Sequence, residues 1–272
     1  MLEKQVVIIT GASAGMGYEA TKLFSSKDWL VFAGARTVAK IPAADNIVPL
    51  ELDVTDSVSI QGFIQAVLAQ TDRIDVLINN AGYGENGPIE EISMGNIRKQ
   101  FETNFFGAVE LTQLVLPIMR AAKNGRIINV ASVGSNTFLP LAGYYTATKA
   151  ALQIWSDTLD LEGAAFGIRS LIIQPGSTVS NWREISRGNA RSNLNSNSVY
   201  QELTAKTDKA LNNRPQTATS QDLARLFYKA ATDAKPKLRY FNNFADHSMV
   251  FVARTFPTLW RSIVQRILRK TL

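Results

Sequence analysis

A chain of 272 residues, 46% of them hydrophobic, can close one substantial core and is short for two, so residues 1–272 are expected to form a single domain. With no cysteine and one histidine, His247, the chain lacks the parts of a thiolate or multi-histidine metal site, a cysteine nucleophile or a Ser-His-Asp triad. The net charge of +6 is partly local, because basic residues concentrate between Arg254 and Lys270, and no nucleic-acid partner is inferred from it.

The chain opens on Met1-Leu2-Glu3-Lys4 and enters an apolar run at once, leaving no room for a signal peptide. No segment approaches the ~20 uninterrupted apolar residues of a membrane-spanning helix, and a cytoplasmic location is expected. Short β-rich runs at 5–10, 30–35, 47–52, 74–79, 126–131 and 168–174 alternate with longer segments of helical period. Continuous apolar runs such as Val6-Val7-Ile8-Ile9 and Leu171-Ile172-Ile173 suit central parallel strands covered on both faces. The fold class is therefore α/β: a doubly wound, mostly parallel sheet with helices on both faces. Ligands of such sheets bind beyond the carboxyl ends of the strands, which places the loops after Thr10, Ala35, Asn79, Ala131 and Gln174 around one cleft.

After the first strand comes Thr10-Gly11-Ala12-Ser13-Ala14-Gly15-Met16-Gly17, followed by a helical segment from Tyr18 to Ser26. Glycines here permit a tight turn and a close approach of backbone N–H groups to a pyrophosphate at a helix N-terminus. The second strand ends at Ala35 and is followed by Arg36, where a fold preferring NAD would typically carry a carboxylate. A guanidinium at that edge pairs with a 2′-phosphate, which favours NADP(H) over NAD(H). Asp53 either accepts from the adenine amino group or caps the helix after Thr55. Asn79-Asn80-Ala81-Gly82 closes the fourth strand, flanking the cofactor or stabilising the turn.

Tyr145 and Lys149 lie four residues apart in a segment of helical period that continues through Leu152, Trp155 and Leu159, so they share one face. A nearby ammonium draws a phenol toward phenolate, which supplies acid/base chemistry without histidine or cysteine. Tyr144 cannot share that face and reads as wall or core.

Residues 180–215 are rich in Asn, Ser and Arg, interrupted by Trp182, Leu194, Val199 and Tyr200; they read as a partly helical lid or a poorly ordered surface insertion. Tyr83, Phe138, Leu139, Leu141 and Trp182 offer an apolar wall for substrate, suited to a hydrophobic ketone, aldehyde or steroid-like alcohol. Within 255–270, Leu259, Trp260, Ile263, Val264, Ile267 and Leu268 share one helical face, with Arg261, Arg266, Arg269 and Lys270 around it. This amphipathic basic helix packs against the body, a second subunit or, less favourably, a membrane surface.

The TGASAGMG run from Thr10, NNAG from Asn79, Ser132, the YxxxK from Tyr145 to Lys149 and Pro175-Gly176 together resemble the classical short-chain dehydrogenases/reductases, a Rossmann-fold family, over roughly residues 3–180. The short second αβ segment and the strand at 235–240 are similar to the branch containing hydroxysteroid and retinol dehydrogenases. The resemblance implies that Ser132 holds the substrate carbonyl and that Tyr145 is the general acid in reduction. It further implies that Lys149 binds the nicotinamide ribose and lowers the tyrosine pKa, while Asn104 supports a water-linked proton relay. Gly11, Ser13, Gly15, Met16, Gly17, Arg36, Asp53, Val54, Asn80, Ala81, Gly82, Pro175, Gly176 and Thr178 would then contact NADP(H), Thr178 near its carboxamide. A homodimer or homotetramer is implied as well. Two other readings compete: a catalytically silent dinucleotide sensor, and a nucleotide-sugar epimerase or dehydratase, for which the ~90 residues after Gly176 leave little room.

Overall fold

The computed structural model describes residues 4–180, 182–212 and 216–270. Asn181, residues 213–215 and the side chain of Lys270 lie outside the described residues, and with them parts of the expected lid and of the basic helix. The chain runs β1 (Val6–Thr10), α1 (Gly15–Ser26), β2 (Leu30–Ala35), β3 (Ile47–Glu51), α2 (Ser57–Leu68) and β4 (Val76–Asn79). It continues through α3 (Met94–Phe101), a π turn at Glu102–Phe106, α4 (Gly107–Ala122), β5 (Gly125–Val130), α5 (Gly143–Gly163) and β6 (Ile168–Gln174). The remainder comprises β7 (Thr178–Val179), α6 (Trp182–Ser192), α7 (Gln201–Asn212), β8 (Ala218–Thr219), α8 (Ser220–Thr232), β9 (Arg239–Phe241), α9 (Phe244–Thr255) and α10 (Pro257–Lys270).

Seven strands make one sheet in the order β3-β2-β1-β4-β5-β6-β9, with every pairing parallel. The doubly wound, single-domain α/β fold expected from the strand and helix periodicities is the one observed. Strand alternation sorts the core onto both faces. Val7 and Ile9 pack with Ala20 and Phe24 of α1 and Leu223 and Phe227 of α8, whereas Val6 and Ile8 pack with Ile60 of α2 and Leu111, Val115 and Met119 of α4. The order reverses between β1 and β4, so the loops after these strands part and open a crevice at the carboxyl edge.

Several boundaries differ from the sequence reading, each for a local reason. β4 begins at Val76 because the Asp75 carboxylate accepts the Val6 N–H at 2.8 Å and pairs with Arg73, fixing that residue as an anchor. α1 begins at Gly15, inside the glycine run. The expected strand at 235–240 shrinks to β9, because the Tyr240 hydroxyl accepts from the Lys237 N–H and donates to Asp233, folding the approach into a turn. The helical run Met94–Ala122 has the length and mean hydropathy, 1.3, to cross a membrane, yet α4 buries Leu111, Val115 and Met119 against the sheet. At the carboxyl end, Trp260 and Val264 of α10 pack with Ala253 of α9, and the Trp260 indole N–H donates to the Phe138 carbonyl at 3.2 Å.

Candidate active site

The glycine run folds as a cradle. Gly11 has φ +68°, and a methyl group on Gly17 would collide with the Gly11 carbonyl oxygen, so the loop and the first turn of α1 touch backbone to backbone. Asn80 locks this contact: its Nδ2 donates to the Thr10 carbonyl at 2.8 Å and the Gly11 carbonyl at 3.3 Å. The Thr10 hydroxyl in turn accepts from the backbone N–H groups of Asn80 and Ala81, both at 3.0 Å. Ala14 at the N-cap provides no side-chain acceptor, and the first turn of α1 carries no acid. The N–H groups of that turn therefore point into the crevice with the positive end of the helix dipole, an arrangement that accepts a pyrophosphate.

Arg36 is exposed at the end of β2 and makes no salt bridge or hydrogen bond among the described residues. Asp53 does not cap a helix; Asp56 does, accepting from the Val58 N–H. Asp53 Oδ1 instead takes the Thr55 N–H at 2.9 Å and the Thr55 hydroxyl at 2.8 Å. Partial burial pushes its carboxyl up, but the two Thr55 bonds and the charges of Arg36 and Lys99 outweigh burial and hold it below the ordinary value.

On the other side of the crevice, Ser132 begins a one-turn helix as its N-cap. Its hydroxyl accepts the Gly134 N–H at 3.0 Å, and the Ser135 hydroxyl reciprocates on the Ser132 N–H at 3.2 Å. The Gly134 contact occupies one lone pair and leaves the Ser132 O–H directed to a partner in the crevice, which in this structure is the Tyr145 phenol. Tyr145 and Lys149 share one face of α5. Burial raises the Tyr145 phenol, and its hydrogen bond with the Ser132 side chain opposes that rise. Lys149 is buried, donates to the Val130 carbonyl at 2.8 Å, and is lowered by burial to about 8. The expected pull of Lys149 is not among the causes that move the Tyr145 phenol, which burial raises against the opposing effect of Ser132. Tyr144 donates to the Ile89 carbonyl at 3.1 Å, outside this group.

Asn104 sits in the π turn between α3 and α4, a distortion that recurs at functional sites. Its Oδ1 accepts the Tyr83 N–H at 3.0 Å, and its Nδ2 donates to the Tyr83 carbonyl at 2.9 Å and the Thr148 hydroxyl at 3.1 Å. The amide is fully engaged as a brace between the loop after β4 and α5. Tyr83 itself is pushed up to about 12 by burial and by the charge of Glu85, with Arg36 acting in the opposite direction. Gly176, after Pro175, packs against the Asp246 carboxylate of α9, and the Thr178 hydroxyl turns back to the Gly176 carbonyl.

Trp182, the first residue of α6, lies with its ring 5.1 Å from that of Tyr145. Phe138 and Leu139 lie against α10, Phe138 through its carbonyl and Leu139 through its side chain. Sequence reasoning missed a buried polar layer beneath Ser132. Gln174 donates to the Ser132 carbonyl at 3.2 Å and to Gln153 at 2.9 Å, and Gln153 and Asn136 exchange hydrogen bonds at 2.8 and 3.1 Å. A polar Gln153 four residues after Lys149, on the buried face of α5, was the one available signal.

A model of the short chain dehydrogenase family matches residues 5–191. The chain belongs to the short-chain dehydrogenase family. Among its curated relatives in this family, an uncharacterized oxidoreductase of Bacillus subtilis, YusZ, is 34% identical over 97% of this chain and 99% of its own. A 3-ketodihydrosphingosine reductase of Bacteroides thetaiotaomicron is 36% identical over 64% of each chain. The solved structure of a short-chain dehydrogenase from Streptomyces avermitilis superposes with a TM-score of 0.82 at 29% identity, covering 97% of this chain and 98% of that one. Two further solved structures share the fold, one from Burkholderia phymatum in complex with NAD (TM-score 0.79, 23% identity, 94% and 95% covered) and one from Burkholderia cenocepacia in complex with NADP (0.76, 20%, 96% and 98%). The protein is thus an oxidoreductase of the short-chain dehydrogenase type.

Proposed function

We propose that this short-chain dehydrogenase reduces a hydrophobic ketone or aldehyde with NADPH, or runs the reverse oxidation. The observation that carries the reading is the convergence of Ser132, Tyr145 and Lys149 at the sheet edge, facing the glycine cradle across the switch point. The bound nicotinamide supplies or accepts the hydride. Ser132 donates to the substrate oxygen, for which its cap contacts orient it, and Tyr145 gives its proton to the alkoxide as that oxygen gains charge. Lys149, one turn after Tyr145 on the same face of α5, would hold the nicotinamide ribose through its buried ammonium. Asn104 acts as a positioning residue that holds the Tyr83 loop to α5. Trp182, whose ring lies 5.1 Å from that of Tyr145, would border the reacting oxygen.

NADP(H) preference rests on Arg36, exposed after β2 with no salt bridge or hydrogen bond among the described residues and with no carboxylate at the end of β2 itself. The Trp182 ring against Tyr145 and the similarity to a 3-ketodihydrosphingosine reductase support a lipophilic substrate, within the hydroxysteroid- or retinol-dehydrogenase-like branch. Exposed Ile154 and Leu161 on α5 support a homo-oligomer formed through that helix.

Calorimetric titration with NADPH and NADH tests the cofactor, and turnover of Tyr145→Phe tests the chemistry. The expected results are tighter NADPH binding, weakened about tenfold in Arg36→Ala, and a Tyr145→Phe protein that binds NADPH but has lost turnover by at least about a thousandfold. Equal affinity for both dinucleotides refutes the preference, and near-normal turnover in Tyr145→Phe refutes the mechanism.

A further inference from the structure

The sheet ends at β9, which forms one wall of a cavity of about 440 Å³ whose other walls are α8 and α9. That volume lies within the range of small-ligand pockets. Four strand-to-strand steps separate β9 from β1, so the cavity lies about 19 Å across the sheet from the glycine cradle and is separate from the crevice at the switch point.

Five basic side chains line it: Lys229 of α8, Lys237 in the connection before β9, Arg239 of β9, and His247 and Arg254 of α9. No carboxylate among the described residues does so. Arg239 is neutralised by Asp157 of α5. Lys229, Lys237 and Arg254 are exposed, and their charged groups take part in no salt bridge or hydrogen bond among the described residues. The His247 ring is oriented by two phenyl rings, edge-on to Phe241 at 5.0 Å between centroids and tilted on Phe244 at 6.3 Å. Neither of its nitrogens has a hydrogen-bond partner among the described residues.

Ordinary structural roles account for these residues one at a time. Lys229 and Arg254 lie in the last turns of α8 and α9, where cations complement the helix dipole, and basic residues at Lys237 and Arg239 guard a bare sheet edge against pairing. None of these roles gathers all of them around one hollow. Three like charges carried by three separate segments repel one another there, and an oxyanion with two negative charges turns that repulsion into charge-assisted hydrogen bonds. The rest of the lining is apolar, with Leu226 of α8 and Val250 and Phe251 of α9, and the volume far exceeds that of a bare phosphate.

We propose that this cavity binds a phosphate monoester carried on an apolar or aromatic body, with Lys229, Lys237, Arg254 and His247 taking the phosphate and the apolar wall taking the body. A soluble phosphate ester and a lipid whose headgroup is a phosphate monoester offer the same chemistry. Phe244, exposed beside His247, is the side chain that would meet a bilayer in the second case.

Calorimetric titration of the intact chain with phenyl phosphate and with inorganic phosphate, both in excess NADP⁺ to occupy the glycine cradle, tests the site. Phenyl phosphate is expected to bind at least about tenfold tighter than inorganic phosphate, and to weaken about tenfold in each of Lys229→Gln and Lys237→Gln. Lys235→Gln removes an exposed lysine of the same connection that does not line the cavity, and should leave affinity within twofold. Sedimentation with phosphatidic acid vesicles, against vesicles of phosphatidylcholine alone, distinguishes the sources. The phenyl phosphate pattern without pelleting assigns the site to a soluble ester, whereas pelleting on phosphatidic acid that Lys229→Gln and Lys237→Gln both lose assigns it to a lipid headgroup. Neither pattern, or an equal loss in Lys235→Gln, overturns the proposal.

Discussion

Replacing Lys149 by Met and following stability through the alkaline range reads the burial of its ammonium directly. The group titrates at an ordinary 10.5 in the unfolded chain and at about 8 in the fold, so folding disfavours its charged form. The penalty is fully present below pH 8, where it amounts to roughly 3 kcal/mol, and it fades as pH rises toward 10.5. Between pH 7 and pH 9.5 the protein therefore gains about 2 kcal/mol from this one residue. Urea denaturation of the parent and of Lys149→Met across that range gives the comparison, because the variant lacks the group and shares the rest of the background titration. The difference in unfolding free energy between the two should shift by about 2 kcal/mol in the parent's favour. A difference constant to within about 0.5 kcal/mol would show that water reaches the ammonium and that burial is not what governs it.

Gly17→Ala forces a methyl group against the Gly11 carbonyl and Asn80 Nδ2, which should destabilise the fold by about 1–3 kcal/mol and weaken NADPH binding, read by thermal melts with and without cofactor. Asn104→Ala strips Tyr83 N–H and C=O and the Thr148 hydroxyl of a shared partner; an expected loss of about 2–3 kcal/mol is measured by urea denaturation, and a loss under 0.5 kcal/mol refutes the bracing role. Leu161→Lys, at a side chain 80% exposed on α5, should lower the mass seen by light scattering to that of a monomer if α5 carries the subunit contact.

The legible parts of the molecule were those written in local order. Val6 to Thr10 followed by the glycine run announces a strand, a turn and a helix within one stretch of chain, and Tyr145 and Lys149 announce a shared face by spacing alone. The illegible parts depend on partners far away in sequence. Asp53 and Asp56 both precede α2, and only the backbone conformation decides that Asp56 caps it. The full engagement of Asn104 requires the Tyr83 loop and Thr148 on α5, which lie 21 and 44 residues away. The amphipathic face of 255–270 is visible from its period, but its contact with Phe138 joins residues 122 apart, which no local pattern encodes.

The π turn at Glu102–Phe106 has a consequence for which insertions and deletions the chain tolerates. A π turn is an α-helix holding one surplus residue, so a single deletion there would restore regular winding. It would also swing everything upstream by about 100° relative to α4. Ile97 and Gln100, buried on α3, would rotate toward solvent, and Asn104 would leave Tyr83 and Thr148. Length variation between β4 and β5 is therefore confined to the exposed tips of the loops. The middle of this helical run tolerates a change of side chain far better than a change of count.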